Sequence, residues 1–358
     1  MQKLTVPTLL LALTGVVVFM SHQEYIDLYI QSVIMFMGVN IILSSSFNII
    51  NGYMGEFACG HAGFMAVGAY VTSILNVMLF TDDKVFGNAL LSPDLAVFLF
   101  PFTLIVGGLA AALAGVLVAI PSFKTRDDYL AIITIAANYI IISTIINMDS
   151  IGGARGFMGM KKVLFAMDDS LSVPWILIWV MLFTIGTVFI IRRFVSSTYG
   201  KGIIAIKQDE VAAEIMSVNT NRMKLVAFML SSGLAGIAGG LFAHILGYIN
   251  PNSFGILKST ECLVMVYLGG MGSLSGSVLS AIIFTLLLES LRFVLPWMDT
   301  VLHYAHLLPD GYELSQVWKW VIIPLILILL MQFRPEGIMG NRELSDIFPG
   351  LKRFYSFK

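Results

Sequence analysis

Residues 192–224 read RRFVSSTYGKGIIAIKQDEVAAEIMSVNTNRMK, the one long polar stretch between two apolar blocks of membrane length. Six of the chain's 21 lysines and arginines fall inside it: Arg192, Arg193, Lys201, Lys207, Arg222 and Lys224. Lysine and arginine near the ends of spans resist translocation, so a basic connection of this length belongs on the cytoplasmic side. Its middle, 202–219, predicts one short amphipathic helix with Ile203, Ile206, Val211, Ile215 and Val218 as its apolar positions. A helix lying on the inner face of a membrane protein gives a cytoplasmic partner something to push.

On both sides of this loop the chain is apolar. Of its 358 residues 58% are hydrophobic and 12% charged, and the mean hydropathy is +0.88. A soluble domain carries roughly 25% charged residues. The apolar residues are gathered in blocks of about 17–25, the length that crosses a bilayer as a helix. The fold class that follows is all-α, a polytopic bundle of transmembrane helices with about ten spans, some of them short or broken. The proposed crossings are 4–20, 28–50, 58–80, 95–120, 129–147, 173–191, 225–248, 259–271, 276–297 and 316–333. With the N-terminus inside, fourteen of the 21 lysines and arginines fall in the cytoplasmic segments. That bias supports the orientation, and an even number of spans leaves both termini in the cytoplasm. Segment 4–20 is read as a retained first span, because only Lys3 precedes it and no small-x-small cleavage site follows. A net charge of −1 points to no nucleic-acid partner.

Two segments break the pattern. Residues 259–271 are too short to cross alone, and 51–63 carries Asn51, Glu56 and His61 among glycines and alanines. Broken helices at membrane depth are tolerated only where they are buried in protein or line a cavity, and transport proteins place them beside their pathway. The candidate pathway stretches are therefore NGYMGEFACGHAGFMAVGA (51–69) and LGGMGSLSG (268–276), with Glu56, Gly60, His61, Gly63, Gly269, Gly270 and Gly272 as candidate residues. Small residues also recur every four positions, at Gly107, Ala111 and Gly115 and at Ser232, Gly236 and Gly240. Such ridges let helices approach closely, so bundle packing is their expected role. The external connection 148–172, with Gly152, Gly153, Arg155 and Gly156, offers a polar surface to an external partner.

Chemistry-bearing motifs are sparse. No GxxxxGK[ST] occurs, since Gly200-Lys201 lacks the upstream glycine, so the chain has no phosphate cradle of its own. His303 and His306 form an HxxH pair without a third ligand, and Cys59 and Cys262 lack metal-ligand spacing. No metal and no cofactor bound by this chain is therefore expected. His61 and His244 lie in spans, where pathway lining competes with packing for the first and packing is favoured for the second. Glu289 with Arg292, and Lys258 with Glu261, have the i,i+3 spacing of local ion pairs. No catalytic constellation can be assembled, so enzymatic chemistry is not expected.

The ordered set GYMGEFACGHAGFMAVGAY (52–70), TRDDYLAIITIA (125–136), GGARG (152–156), GKGIIAIKQDEVAAEIMSVNTNRMKLVAFMLSSGLAGIAGGLFA (200–243), GYINPNSF (247–254), VYLGGMGSLSGSVLSA (266–281) and FRPEGIMG (333–340) resembles the permease subunits of branched-chain amino acid ABC importers, of the LivM type. The resemblance covers about 50–340. It implies one permease domain over 1–358, with 192–224 as its coupling loop and 334–358 as a cytoplasmic tail, in the plasma (inner) membrane of a prokaryote. It implies as partners a homologous LivH-type permease, two cytoplasmic ATPases that use ATP and Mg²⁺, a periplasmic or extracellular substrate-binding protein, and membrane lipid. Ala212 and Ala213 correspond to the alanines with which such permeases dock on the ATPase. Glu210, Ala212, Ala213, Glu214 and Ser217 are the coupling residues so implied, with Val211 where the usual EAAxxxG pattern has glutamate and Ser217 where it has glycine. Branched-chain amino acids are the implied substrates, with urea or short-chain amides as the alternative. A stand-alone carrier driven by Na⁺ or H⁺ is the competing class, with Glu56, His61 and Glu261 as its only evident ion-site candidates.

Overall fold

The helices of the computed structural model begin and end close to where the apolar blocks do. It describes residues 5–82, 87–123, 129–170, 173–304, 315–340 and 342–347. In chain order its helices are α1 (Thr5–His22), α2 (Leu28–Asn48), α3 (His61–Phe80), α4 (Ala96–Ser122), α5 (Tyr129–Ile146), α6 (Met160–Ser170) and α7 (Trp175–Ser196). There follow α8 (Thr198–Gln208), α9 (Glu210–Ile215), α10 (Thr220–Leu246), α11 (Ile256–Gly269), α12 (Leu274–Tyr304), α13 (Lys319–Phe333) and α14 (Leu344–Ile347). Two-residue strands, β1 (Phe157–Met158) and β2 (Tyr248–Ile249), pair antiparallel with Phe157 opposite Ile249. Among the described residues, eight helical segments are long and apolar enough to cross a bilayer. The two remaining expected spans are α1 and the 14-residue α11. At 1.5 Å per residue α11 reaches about 21 Å, against a hydrocarbon core of about 30 Å. Lys84, residues 125–128, His306 and, of the expected tail, 341 and 348–358 lie outside the described residues.

The two small-residue ridges meet each other. A side chain at Gly236 of α10 would meet Ala111 Cβ of α4, and one at Gly115 would meet the Ser232 hydroxyl. Across the other flank of α10, Gly68 of α3 lies against the Gly236 backbone. Helices α3, α4 and α10 accordingly make the most extensive contacts of the bundle. Lipid gives apolar side chains no drive to leave it, so dispersion between closely approaching backbones holds this centre together. The half of α2 that precedes Asn48 is buried in the same core. Outer faces of α4 and α5 keep large apolar side chains exposed, among them Phe98, Leu117, Ile132 and Ile140, as lipid-facing helices do.

The polar groups inside the bundle are mostly paired. His244 Nδ1 donates to Gly240 O at 2.7 Å while Nε2 accepts from Asn76 Nδ2 at 2.9 Å, which is the expected packing role. Lys258 and Glu261 form a 2.7 Å ion pair. Glu289 lies 3.9 Å from Arg292 and also accepts from the Tyr29 hydroxyl at 2.7 Å. In the 148–172 connection, Met160, Val163 and Met167 of α6 are buried, so this segment caps the bundle as well as presenting a surface.

Candidate functional site

One continuous amphipathic helix over 202–219 is not what forms. The chain breaks at Asp209, whose φ of −160° is extended, and two helices result. Asp209 Oδ1 accepts from Ala212 N at 2.9 Å, an N-cap that satisfies a free amide of the next helix. Helix α8 buries Ile203 and Ile206. In α9 the pattern differs: Ala213 is buried, while Val211, Ile215 and Met216 are 67%, 78% and 78% exposed. Of the two alanines, Ala212 is at the surface and Ala213 is used inside the loop's own fold. Glu214 Oε1 accepts from the Thr220 hydroxyl at 2.9 Å.

Ser217 closes α9 in the left-handed region, at φ +65°. Its amide donates to Glu214 O at 2.9 Å and that of Val218 to Ala213 O at 3.1 Å. These are the paired bonds of a Schellman C-cap, whose left-handed position is usually glycine. The glycine that the sequence lacks at 217 is therefore a capping residue, and serine occupies its place under strain.

The loop lies against the first helix break. Helix α2 runs on as a π-helix, Ile49–Met54, and stops at Gly55 with φ +77°. Segment 55–60 has no regular structure, and α3 starts at His61. Lys207 of α8 donates from Nζ to Gly52 O at 2.8 Å. Burial against this turn lowers the Lys207 pKa from its usual value. Lys224 of α10 is 2.7 Å from Glu56 Oε1 and 2.8 Å from Glu210 Oε1. A residue expected to line a pathway and one expected in the coupling loop thus share one lysine.

Deeper in the bundle, the residues around His61 are closely packed. A Cβ at Gly60 would strike the Thr134 carbonyl of α5, and one at Gly63 would lie 2.8 Å from Asn138 Oδ1. Cys59 N donates to Thr134 Oγ1 at 3.0 Å, and Ala62 N to Ser259 Oγ of α11 at 3.1 Å. His61 is 1% exposed, with Nε2 2.9 Å from Ser46 Oγ and its ring centroid 4.6 Å from that of Phe47. Its Nδ1 and both amide atoms of Asn138 are buried without a hydrogen-bond partner.

The second break is the α11–α12 turn, where Gly270 and Gly272 have φ of +108° and +84°. Asn48, the last residue of α2, holds this turn. Its Nδ2 donates to Ser273 O at 2.9 Å and Ser277 Oγ at 2.7 Å, and its Oδ1 accepts from Gly272 N at 3.0 Å. Gly269 lies against Gly276, and the 334–340 segment closes the other side through Ile338 N to Leu268 O at 2.8 Å. Glu343 accepts from Leu274 N at 2.8 Å and Ser275 N at 3.1 Å, satisfying free amides at the start of α12. Both breaks, the 192–224 loop and the segments 334–340 and 342–347 therefore gather at one end of the bundle. Asn48, Lys207, Lys224 and Glu343 are the residues that sequence reading missed. Asn48 is a lone amide in an apolar block, the signal by which it could have been found, whereas Lys207, Lys224 and Glu343 sit in polar stretches that do not single them out. Among the described residues no group of three or more His, Cys, Asp or Glu could hold a metal.

Residues 29–331 match the family described as branched-chain amino acid transport system / permease component. The chain is similar to "High-affinity branched-chain amino acid transport system permease protein LivM" of Escherichia coli, 29% identical over 325 residues, covering 84% of this chain and 68% of that protein. It is 22% identical over 348 residues to "Probable branched-chain amino acid transport permease protein LivM" of Methanocaldococcus jannaschii, covering 92% and 97%. Over 176 residues it is 27% identical to the LivH permease protein of Salmonella typhimurium, covering 49% of each chain. No solved structure matches.

Proposed function

The chain belongs to the family of branched-chain amino acid transport permease components, and from that membership we propose that it forms one half of the translocation path of an ATP-driven importer. A homologous permease supplies the other half. Two cytoplasmic ATPases bind and hydrolyse ATP, and a binding protein outside the membrane delivers the substrate. On this reading the end of the bundle that carries α8 and α9 faces the cytoplasm, as do both termini.

The observation that carries the proposal is the surface of α9. Val211 and Ile215 stand out on a six-residue helix and Met216 at its C-cap, next to the carboxylates of Asp209, Glu210 and Glu214. A loop helix gains nothing from three exposed large apolar side chains unless a partner covers them. The partner that fits is an apolar groove with a basic rim, and Ala212 lets it approach the helix closely. The carboxylates that a gradient-driven carrier would require are engaged instead: Glu56 with Lys224 and Glu261 with Lys258. Branched-chain amino acids are the proposed substrates on the names of the relatives.

The test is reconstitution of the chain with a second permease and the two ATPases in liposomes, with a binding protein added outside. Leucine, isoleucine and valine uptake is expected only with ATP and all components present. Uptake of urea or short-chain amides instead would correct the substrate. Uptake by the chain alone under a Na⁺ or H⁺ gradient would overturn the importer reading.

A further inference from the structure

Lys224 sits in the second turn of α10 with 7% of its surface exposed, yet it serves two carboxylates from two other elements. Glu210 opens α9, the proposed docking helix, and Glu56 lies in the α2–α3 break. Between Glu210 and Glu56 stand more than 150 residues of chain. The lysine ammonium bridges them, with a second link from Lys207 Nζ to Gly52 O inside the π-turn.

The two arms of this bridge differ. The Glu56 side chain is 22% exposed and that of Glu210 is 45% exposed. Water screens the Glu210 arm more, so it is the releasable one, while the Glu56 arm is held in lower dielectric. Lys224 itself is buried near the start of α10, the helix that packs against α2, α3 and α4. Just before the segment that carries Glu56 is a π-turn, a rare helical form that occurs frequently at functional sites. Beyond it, 55–60 is irregular backbone able to bend.

We propose that Lys224 is the positioning residue that transmits movement of the docking helix to the α2–α3 break, through a Glu210–Lys224–Glu56 clasp supported by Lys207 on Gly52. With the clasp closed, α9, the start of α10 and the π-turn move together, and the irregular 55–60 segment takes up the flexure. With it open, the docking helix moves without the break. This rests on the importer reading above, and adds to it the residue through which the motor's work reaches the helix that interrupts the membrane core.

The measurement is the amount of ATP hydrolysed per substrate molecule carried, in proteoliposomes holding the full complex. Lys224→Met and Glu56→Gln are each expected to raise that ratio about tenfold, a coupling free energy of ordinary allosteric size. Lys224→Arg is expected to keep it near the wild-type value, since a guanidinium reaches both carboxylates. Glu56 lies in the α2–α3 break and not on α9, and co-purification of the ATPases checks directly that a shared effect of Glu56→Gln and Lys224→Met does not come from lost docking. Should Lys224→Met fail to assemble, Glu56→Gln alone decides. A wild-type ratio in Glu56→Gln, or in an assembled Lys224→Met complex, overturns the clasp. Failure of the wild-type complex to show ATP-dependent uptake would instead overturn the importer reading.

Discussion

Ser217 shows what one backbone angle requires of one side chain. At φ +65° an ordinary L-residue costs roughly 1–2 kcal/mol, and a β-branched one is worse. Serine is tolerable there because it is small and because the two capping bonds to Glu214 O and Ala213 O hold the turn. Ser217→Val should therefore open the end of α9, with hydrogen exchange at the Ser217 and Val218 amides accelerated about tenfold, as expected for a loss of about 1.4 kcal/mol. Ser217→Gly should leave that exchange unchanged or slow it. Acceleration in the glycine variant would mean that serine's hydroxyl, and not the angle, holds the cap. The position where the usual pattern has glycine is here a backbone requirement, which serine meets at a cost because the two capping bonds hold the turn.

At the scale of elements, the decisive contrast lies between the two halves of the loop. Helix α8 turns its isoleucines inward, while α9 turns Val211 and Ile215 outward, so one apolar stripe read from sequence becomes two surfaces with different purposes. Ile215→Asp should cost the fold little, because the side chain is 78% exposed, yet lower ATPase affinity about 30-fold, or roughly 2 kcal/mol. Ala213→Glu should instead lower the melting temperature of the isolated chain, because it forces a carboxylate into a buried position. Co-purification and melting of both variants check this, and an Ile215→Asp chain that binds ATPase normally would remove α9 from the docking surface. The long spans were legible because block length and hydropathy decide them almost alone. The interruption at Asp209 was legible in principle, since aspartate three residues before Ala212 is an N-cap arrangement. The clasp and the Asn48 bonds were not, because Asn48 and Gly272 are 224 positions apart and Lys224 and Glu56 lie on separate elements, with no local periodicity to announce either contact. For the same reason the close approach of Gly60 and Gly63 to α5 could not be read from the sequence.

Across the whole molecule, polarity is distributed between two ends that differ in construction. One end joins the π-turn, α8, α9, the α11–α12 turn and Glu343 through lysine, asparagine and glutamate side chains. Another surface is formed by the Phe157–Ile249 ribbon, with the short 3-10 turns of 149–155 leading into it. An ATP-driven importer needs the first of these in the cytoplasm, where its motor is, and lysine and arginine retention by the positive-inside rule gives the same direction. Cysteine labelling separates the two sides. With Cys59 and Cys262 replaced by alanine, a single cysteine is placed either at Met158, 67% exposed, or at Met216, 78% exposed. A membrane-impermeant maleimide applied to intact cells with a permeable outer layer should modify Met158→Cys and spare Met216→Cys, and inside-out vesicles should reverse the result. Modification of Met216→Cys from outside would place α9 beyond the reach of any cytoplasmic ATPase. The exposed apolar face of that helix, the clasp behind it and the import direction would then lose their common explanation together, because each depends on the loop end of the bundle meeting a motor inside the cell.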